Sequence, residues 1–70
     1  MEEIMKYLSK HLSELVAGKK VTYRGKVYWA NVWTGDVFAH SIDEEILGSI
    51  SGYKVGSIVE KNGGYEVAKA

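Results

Sequence analysis

The segment "DVFAHSIDEE" contains the residue types from which acid–base, nucleophilic or metal chemistry could be built. They are Asp36, His40, Ser41, Asp43, Glu44 and Glu45. A catalytic pair requires side chains within hydrogen-bond reach of each other. On an extended strand, Asp36 and His40 point the same way but lie about 13 Å apart, and Ser41 points to the opposite face. The spacing therefore argues against a proton-transfer pair or a nucleophile–base pair.

A metal site is not favoured either. Zinc sites in proteins combine three or four sulfur, nitrogen and oxygen ligands, and the chain has no cysteine. His40 and Glu44 could share an ion only if the strand bent at Ile42, and no spacing links His11 to them. We expect both histidines at exposed or boundary positions, and the acids at 43–45 as favourable charges at a helix start. No metal or cofactor is predicted.

The glycines do not form a phosphate-binding loop. The segment "GSISGYKVG" spaces Gly48, Gly52 and Gly56 by four, but no Gly-Lys-Ser/Thr sequence follows and no strand-to-helix order is present. A chain of 70 residues rarely encloses a catalytic pocket. We therefore expect that the protein is not an enzyme.

The aromatic and basic segment "VTYRGKVYWANVW", residues 21–33, is the other candidate for function. It holds both tryptophans with Arg24 and Lys26, and Lys19 and Lys20 precede it. Residues 19–33 carry these four bases and no acid, a sum of +4, whereas residues 34–48 carry four acids and no base, a sum of −4. Such asymmetry can steer a partner even though the total charge is zero. A zero total is unusual for a dedicated DNA-binding protein.

The elements that must position these residues begin with an amphipathic helix. Met5, Leu8, Leu12 and Leu15 recur at three- and four-residue spacing, which predicts a helix over residues 2–17. Gly18 is placed to end it in the left-handed conformation.

Short β-rich runs follow, with turns expected at Arg24-Gly25 and Thr34-Gly35. The segment "SIDEEILGSI" has the pattern of a short helix with Ser41 and Glu44 as a capping box. A last hairpin turns at Asn62-Gly63. The order α-β-β-β-α-β-β predicts an α+β fold: a helix packed on a small, strongly curved antiparallel sheet, or partly open barrel, of about five strands.

The register of the first hairpin decides which aromatic residues are buried. A two-residue turn at Arg24-Gly25 pairs Val21 with Tyr28 and places both tryptophans on a polar face. A three-residue turn with only Gly25 at positive φ pairs Val21 with Val27 and makes the tryptophan face the core. The second arrangement is favoured because a long side chain such as that of Arg24 resists positive φ.

The favoured register has consequences for both hairpins. The tryptophans become largely buried core residues, and Tyr28 joins Lys20 and Lys26 on the outer face, with Phe38 and His40 beside them. A three-residue loop in the last hairpin, residues 61–63, would likewise put Val59, Tyr65 and Val67 on one face.

Length and composition place the chain among small globular proteins. Residues 1–70 are expected to form a single domain, with 46% hydrophobic and 26% charged residues. So small a domain without disulfides is marginally stable alone, which makes self-association plausible. The N-terminal segment has no continuous apolar run, so we expect neither a signal peptide nor a membrane span, and a cytoplasmic location.

Two functions are consistent with these observations. The leading hypothesis is a non-catalytic protein-binding module that regulates or inhibits a larger partner and can form a homodimer, with contact residues Lys19, Lys20, Arg24, Lys26, Tyr28, Asp36 and His40. The alternative is single-stranded nucleic-acid binding, in which the basic residues hold the backbone and bases stack on Tyr28, Trp29 or Trp33.

Overall fold

A five-stranded antiparallel sheet, curled into a half-barrel, carries two short helices on its concave face. The computed structural model describes residues 2–43 and 52–70. Its elements are α1 Glu2–Lys10, α2 Leu12–Val16, β1 Val21–Tyr23, β2 Lys26–Asn31, β3 Asp36–Ser41, β4 Tyr53–Lys61 and β5 Gly64–Lys69, and the strands lie in the order β1-β2-β3-β4-β5. The predicted α+β class is confirmed. The predicted helix after Ser41 falls largely on residues outside the described part.

The predicted helix over residues 2–17 is interrupted at His11. Its backbone dihedrals, φ −106° and ψ 25°, leave the helical region, so α1 ends at Lys10 and α2 begins at Leu12. The His11 ring nitrogen Nδ1 lies 2.6 Å from Glu14 Oε2, which fixes the side chain across this break. Gly18 ends α2 at φ +82°, the left-handed conformation expected for it.

The core lies between the helices and the concave face of the sheet. It consists of Leu8, Leu15, Val21, Tyr28, Val37, Ala39 and Val67. Each helix contributes one fully buried leucine, Leu8 from α1 and Leu15 from α2. Removal of these apolar side chains from water is the main force holding helix to sheet.

Helix α1 spans the open side of the half-barrel between the two edge strands. The Tyr7 ring lies 4.3 Å from the Tyr23 ring of β1, measured between centroids. On the other edge, the backbone N–H of Val67 in β5 donates a 3.0 Å hydrogen bond to Ser9 Oγ. An edge strand exposes unpaired backbone groups, and here a helix side chain satisfies one of them.

The favoured register of the first hairpin is wrong. Val21 pairs with Tyr28 and Tyr23 with Lys26, so the turn has two residues, with φ +48° at Arg24 and +77° at Gly25. These are the dihedrals of a type I′ turn. The left-handed conformation at Arg24 costs about 1–2 kcal/mol, and burying Tyr28 beside Val21 offsets that cost.

The last hairpin repeats the same deviation. Its turn lies at Asn62-Gly63 as expected, but Lys61 pairs with Gly64, so the loop has two residues rather than three. Val67 therefore pairs with Ile58, which packs against the core, and Val59 is exposed on the other face. The one-residue difference exchanges the two faces of β4.

Candidate functional site

Trp33 is the most exposed large apolar residue of the described chain. Its exposed fraction is 92%, and that of the preceding Val32 is 51%. Strand β2 ends at Asn31 instead of reaching Trp33 as the sequence predicted, so Trp33 lies in the turn of residues 32–35, here called the tryptophan turn. The expectation that both tryptophans are largely buried is wrong for Trp33.

The backbone of the tryptophan turn is held by hydrogen bonds at both ends. Asn31 Oδ1 accepts from the backbone N–H of Trp33 at 2.9 Å and of Thr34 at 3.3 Å. The Asn31 carbonyl accepts from the N–H of Gly35 at 2.7 Å. The Gly35 carbonyl in turn accepts from the N–H of Ile58 in β4, also at 2.7 Å. The turn is therefore fixed to the sheet while the indole extends away from it.

Asp36 stabilises the exit of this turn. Its carboxylate accepts a 3.1 Å hydrogen bond from Thr34 Oγ1 and lies 3.0 Å from Lys54 Nζ. The hydrogen bond from Lys54, and then that from Thr34, hold the pKa of Asp36 below its usual value of 3.8. Asp36 was predicted as a partner contact, and the structure shows it bound to Thr34 and Lys54.

Trp29 lies on the convex face of the sheet, half-buried. Its ring stacks on Phe38 with centroids 4.8 Å apart, and its indole N–H donates a 3.0 Å hydrogen bond to His40 Nδ1. His40, one of the predicted partner contacts, is only 1% exposed, so the expectation that it lies at an exposed or boundary position is wrong. The reason is the register: pairing of Trp29 with Phe38 places the indole beside His40.

A recess opens between the N-terminal turn of α1 and the other end of β2. We call it the tyrosine recess. Its polar lining consists of Glu3, Tyr23, Arg24, Lys26, Tyr28, Tyr53, Lys54 and Lys69. Lys26 Nζ donates a 2.7 Å hydrogen bond to Tyr53 Oη and lies 5.4 Å from the Tyr53 ring centre. Arg24 lies 5.3 Å from the Tyr23 ring centre and 3.4 Å from Glu3 Oε2.

Tyr28 lies at the bottom of the tyrosine recess. It is 6% exposed, so the prediction that it forms a solvent-facing platform among lysines is wrong. Burial raises the pKa of the Tyr28 phenol, and the hydrogen bond to Tyr53 raises that of Lys26. At neutral pH, Tyr28 therefore keeps its O–H and Lys26 keeps its charge.

The predicted basic and aromatic patch is divided along β2. Arg24 precedes β2 and Lys26 begins it, whereas Trp33 follows its end. The strand between them is about 17 Å long at ~3.3 Å per residue. Lys19 and Lys20 are exposed and precede β1, which runs antiparallel to β2. The structure thus does not bring the four bases together around one stacking ring.

Two features of these surfaces escaped sequence reasoning. One is the place of Tyr53, which begins β4 and reaches the recess through the pairing of Ala39 with Tyr53. No local pattern reports such a long-range pairing. The other is Asn31, whose position two residues before Trp33 is typical of a side-chain-capped turn and could have been recognised.

Comparisons with other proteins and searches for known site types add no assignment. No protein-family model, curated protein or solved structure matches the chain. Within residues 2–43 and 52–70, no group of three His, Asp or Glu side chains is placed to hold a metal ion. No helix in this part of the chain is long and apolar enough to cross a membrane.

Proposed function

We propose that the protein is a small, non-catalytic, cytoplasmic binding module that inserts Trp33 into an apolar pocket of a larger protein partner, which it regulates or inhibits. The observation that carries the proposal is the 92% exposed indole on a turn whose backbone is hydrogen-bonded to β2 and β4. The Trp33 ring and the adjacent Val32 side chain are exposed together, and neighbouring exposed apolar side chains are typical of interaction sites.

The energetics of tryptophan favour this role. Burial of an aromatic side chain removes about 150–250 Å² from water, which at roughly 25 cal/mol per Å² corresponds to about 4–6 kcal/mol before the costs of association. Tryptophan is among the residues that dominate the binding energy of protein interfaces. Because hydrogen bonds already order the tryptophan turn, less conformational entropy is lost on binding.

The neighbourhood of Trp33 favours a largely uncharged pocket in the partner. The carboxylate of Asp36 at the exit of the turn is already paired with Lys54. Val32 adds a second exposed apolar side chain next to Trp33. An apolar pocket with a neutral rim would accept both side chains without leaving a buried charge unpaired.

The proposal is tested by site-specific photocrosslinking. A benzophenone amino acid replaces Val32, and crosslinked partners are identified from cells expressing the otherwise wild-type chain, Trp33→Ala, or the matched control Tyr65→Ala. Tyr65 is also an exposed aromatic residue, at 64%, but lies on β5. We expect a partner that crosslinks to the wild type and to the control, and that Trp33→Ala no longer captures.

The identified partner is then measured with purified proteins. Because hot-spot truncations cost 2 kcal/mol or more, Trp33→Ala should weaken its dissociation constant by about 30-fold or more. Equal affinity of the Trp33→Ala and wild-type chains would contradict the proposal.

Two further measurements separate this proposal from the other functions considered. If light scattering shows that the wild type is a dimer and Trp33→Ala a monomer, the partner that binds Trp33 is a second copy of the chain and not a larger protein. Quenching of tryptophan fluorescence by a mixed single-stranded oligonucleotide would favour nucleic-acid binding, and log affinity should then fall by about 0.7 per neutralised phosphate for each log unit of salt.

A further inference from the structure

The tyrosine recess has the features of a ligand site distinct from Trp33. It lies between Ile4 and Met5 of α1 and the rings of Tyr28 and Tyr53, with a volume of about 260 Å³. This volume corresponds to roughly nine water molecules at about 30 Å³ each, or a ligand of about ten non-hydrogen atoms. It falls just below the 300–1,000 Å³ typical of sites for drug-sized molecules.

In the part of the recess beside Tyr53, the hydrogen-bonding side chains are all able to donate. Tyr28 is more than nine-tenths buried, and its hydroxyl has no hydrogen-bond partner among residues 2–43 and 52–70. Lys26 donates one of its three N–H groups to Tyr53 Oη, which leaves the Tyr53 O–H free to donate elsewhere. A buried polar group without a partner is uncommon, and one on a residue that lines a cavity is available to a ligand.

The charge of the recess selects the sign of that ligand. Lys26, Lys54 and Lys69 line the part of the recess beside Tyr53, and no acidic side chain lines that part. In the adjoining part of the opening, Glu3 is paired with Arg24 at 3.4 Å. A convergence of ammonium and phenol donors stabilises an anion whose oxygens accept from both.

We propose that the tyrosine recess binds a small carboxylate with a flat apolar body, its oxygens accepting hydrogen bonds from Lys26, Tyr28 and Tyr53 and its body packing between Ile4, Met5 and the tyrosine rings. Such a carboxylate could belong to a free aromatic acid or to the C-terminal residue of a peptide. The chemistry is the same in both cases, so the experiment must distinguish them.

The test is a calorimetric titration of the purified protein with benzoate, which has nine non-hydrogen atoms. We expect saturable binding at one site per chain, and no binding of benzamide, which has the same shape and no charge. A parallel titration compares a short peptide ending in phenylalanine with its C-terminally amidated form. Saturation by the acid peptide alone assigns the carboxylate to a chain terminus, and saturation by benzoate assigns it to a free acid.

Substitutions then connect the binding to the recess. Tyr28→Phe and Lys26→Met should each weaken benzoate affinity by about tenfold or more, because each removes a hydrogen bond to a charged acceptor. Lys61→Met is the matched control, since Lys61 pairs with Glu66 on the far hairpin, and should leave the affinity unchanged. Trp33→Ala should also leave it unchanged, which separates this site from the proposed protein interface.

Three results would overturn the proposal. They are absence of saturable binding by both benzoate and the acid peptide, equal binding of benzamide, and unaltered affinity in both Tyr28→Phe and Lys26→Met. Thermal unfolding of each variant, followed by circular dichroism, shows that a loss of binding is not a loss of fold.

Discussion

The two turns at the ends of β2 are held in different ways. The tryptophan turn is fixed by local hydrogen bonds, chiefly to Asn31. Its largest side chain, Trp33, is exposed to solvent. The Arg24-Gly25 turn places a non-glycine residue at φ +48°, and its side chains instead contact other elements, as the Arg24–Glu3 pair shows.

This difference corresponds to two kinds of recognition. A turn fixed by local hydrogen bonds can present a side chain outward, as the tryptophan turn presents its indole. The Arg24-Gly25 turn instead has side chains that contact other elements. The residues that follow it, Lys26 and Tyr28, line a recess together with residues of α1. One strand therefore connects a protruding apolar group to a concave polar site.

Strand β4 contacts residues near both ends of β2, through Ile58 at the tryptophan turn and Tyr53 at Lys26. Between these two contacts, β4 is bent by a bulge. The register shift between Val37 and Phe38 leaves Val55 as an extra residue beside Gly56. A side chain on Gly56 would overlap the Ala68 carbonyl oxygen of β5. Gly56→Ala should therefore disturb the bend and lower the free energy of unfolding by about 1–3 kcal/mol, the largest effect expected here.

Chemical denaturation measures this loss, and Gly64→Ala is its control. A Cβ on Gly64 would meet only the Lys61 carbonyl, at an unstrained 3.8 Å. If Gly56→Ala were as stable as Gly64→Ala, the close approach of β5 at the bend would not be a structural requirement.

Asn31→Ala tests the claim that local hydrogen bonds hold the tryptophan turn. It leaves the N–H groups of Trp33 and Thr34 without their side-chain acceptor and should lower the free energy of unfolding by about 1 kcal/mol. Asn31→Asp retains an acceptor oxygen and should cost less. Hydrogen exchange of the turn amides should accelerate in Asn31→Ala only, and unaltered exchange would show that the backbone contact between Gly35 and Ile58 suffices.

Much of the fold could be predicted from the sequence because its signals are local. The amphipathic stripe of the N-terminal helix, Gly18 and the Asn62-Gly63 turn each depend on residues near one another, and the structure shows a helix, a left-handed glycine and a turn at these positions. Strand register was wrong in both hairpins. A type I′ turn at Arg24-Gly25 requires positive φ at Arg24, which arginine disfavours. The burial of Tyr28 in the core, a long-range effect, favours this turn.

The candidate sites were predictable to a smaller extent for the same reason. Trp29 and Trp33 were singled out, but a one-residue change of register exchanged their surroundings with those of Tyr28. His40 was expected on the surface because nothing in "DVFAHSI" reveals the indole that donates to it. Tyr53 entered the recess through a pairing that spans many residues.

Arg24→Asn addresses the strain in the other turn. Asparagine tolerates the left-handed conformation better than arginine, and Asn-Gly is the preferred pair in type I′ turns, as Asn62-Gly63 in the last hairpin illustrates. We expect an increase of about 0.5 kcal/mol in the free energy of unfolding, because the exposed ion pair with Glu3 contributes little. A decrease would mean that the contacts of Arg24 with Glu3 and Tyr23 outweigh the strain.

The smallest expected effect is a pH dependence confined to the tryptophan turn. The bond from Lys54 lowers the pKa of Asp36 below 3.8, so the ionised carboxylate favours the folded state. This stabilisation is present above pH 3.8 and is lost as the pH falls through the lower pKa of the folded protein. The difference in unfolding midpoint between the wild type and Asp36→Asn should therefore be present near neutral pH and shrink as the pH falls below 3.8. Because the pair is solvent-exposed, the difference should also shrink in high salt. A difference that persisted unchanged well below pH 3.8 would show that the charge of Asp36 is not what stabilises the turn, and both ends of the turn would then depend on uncharged interactions.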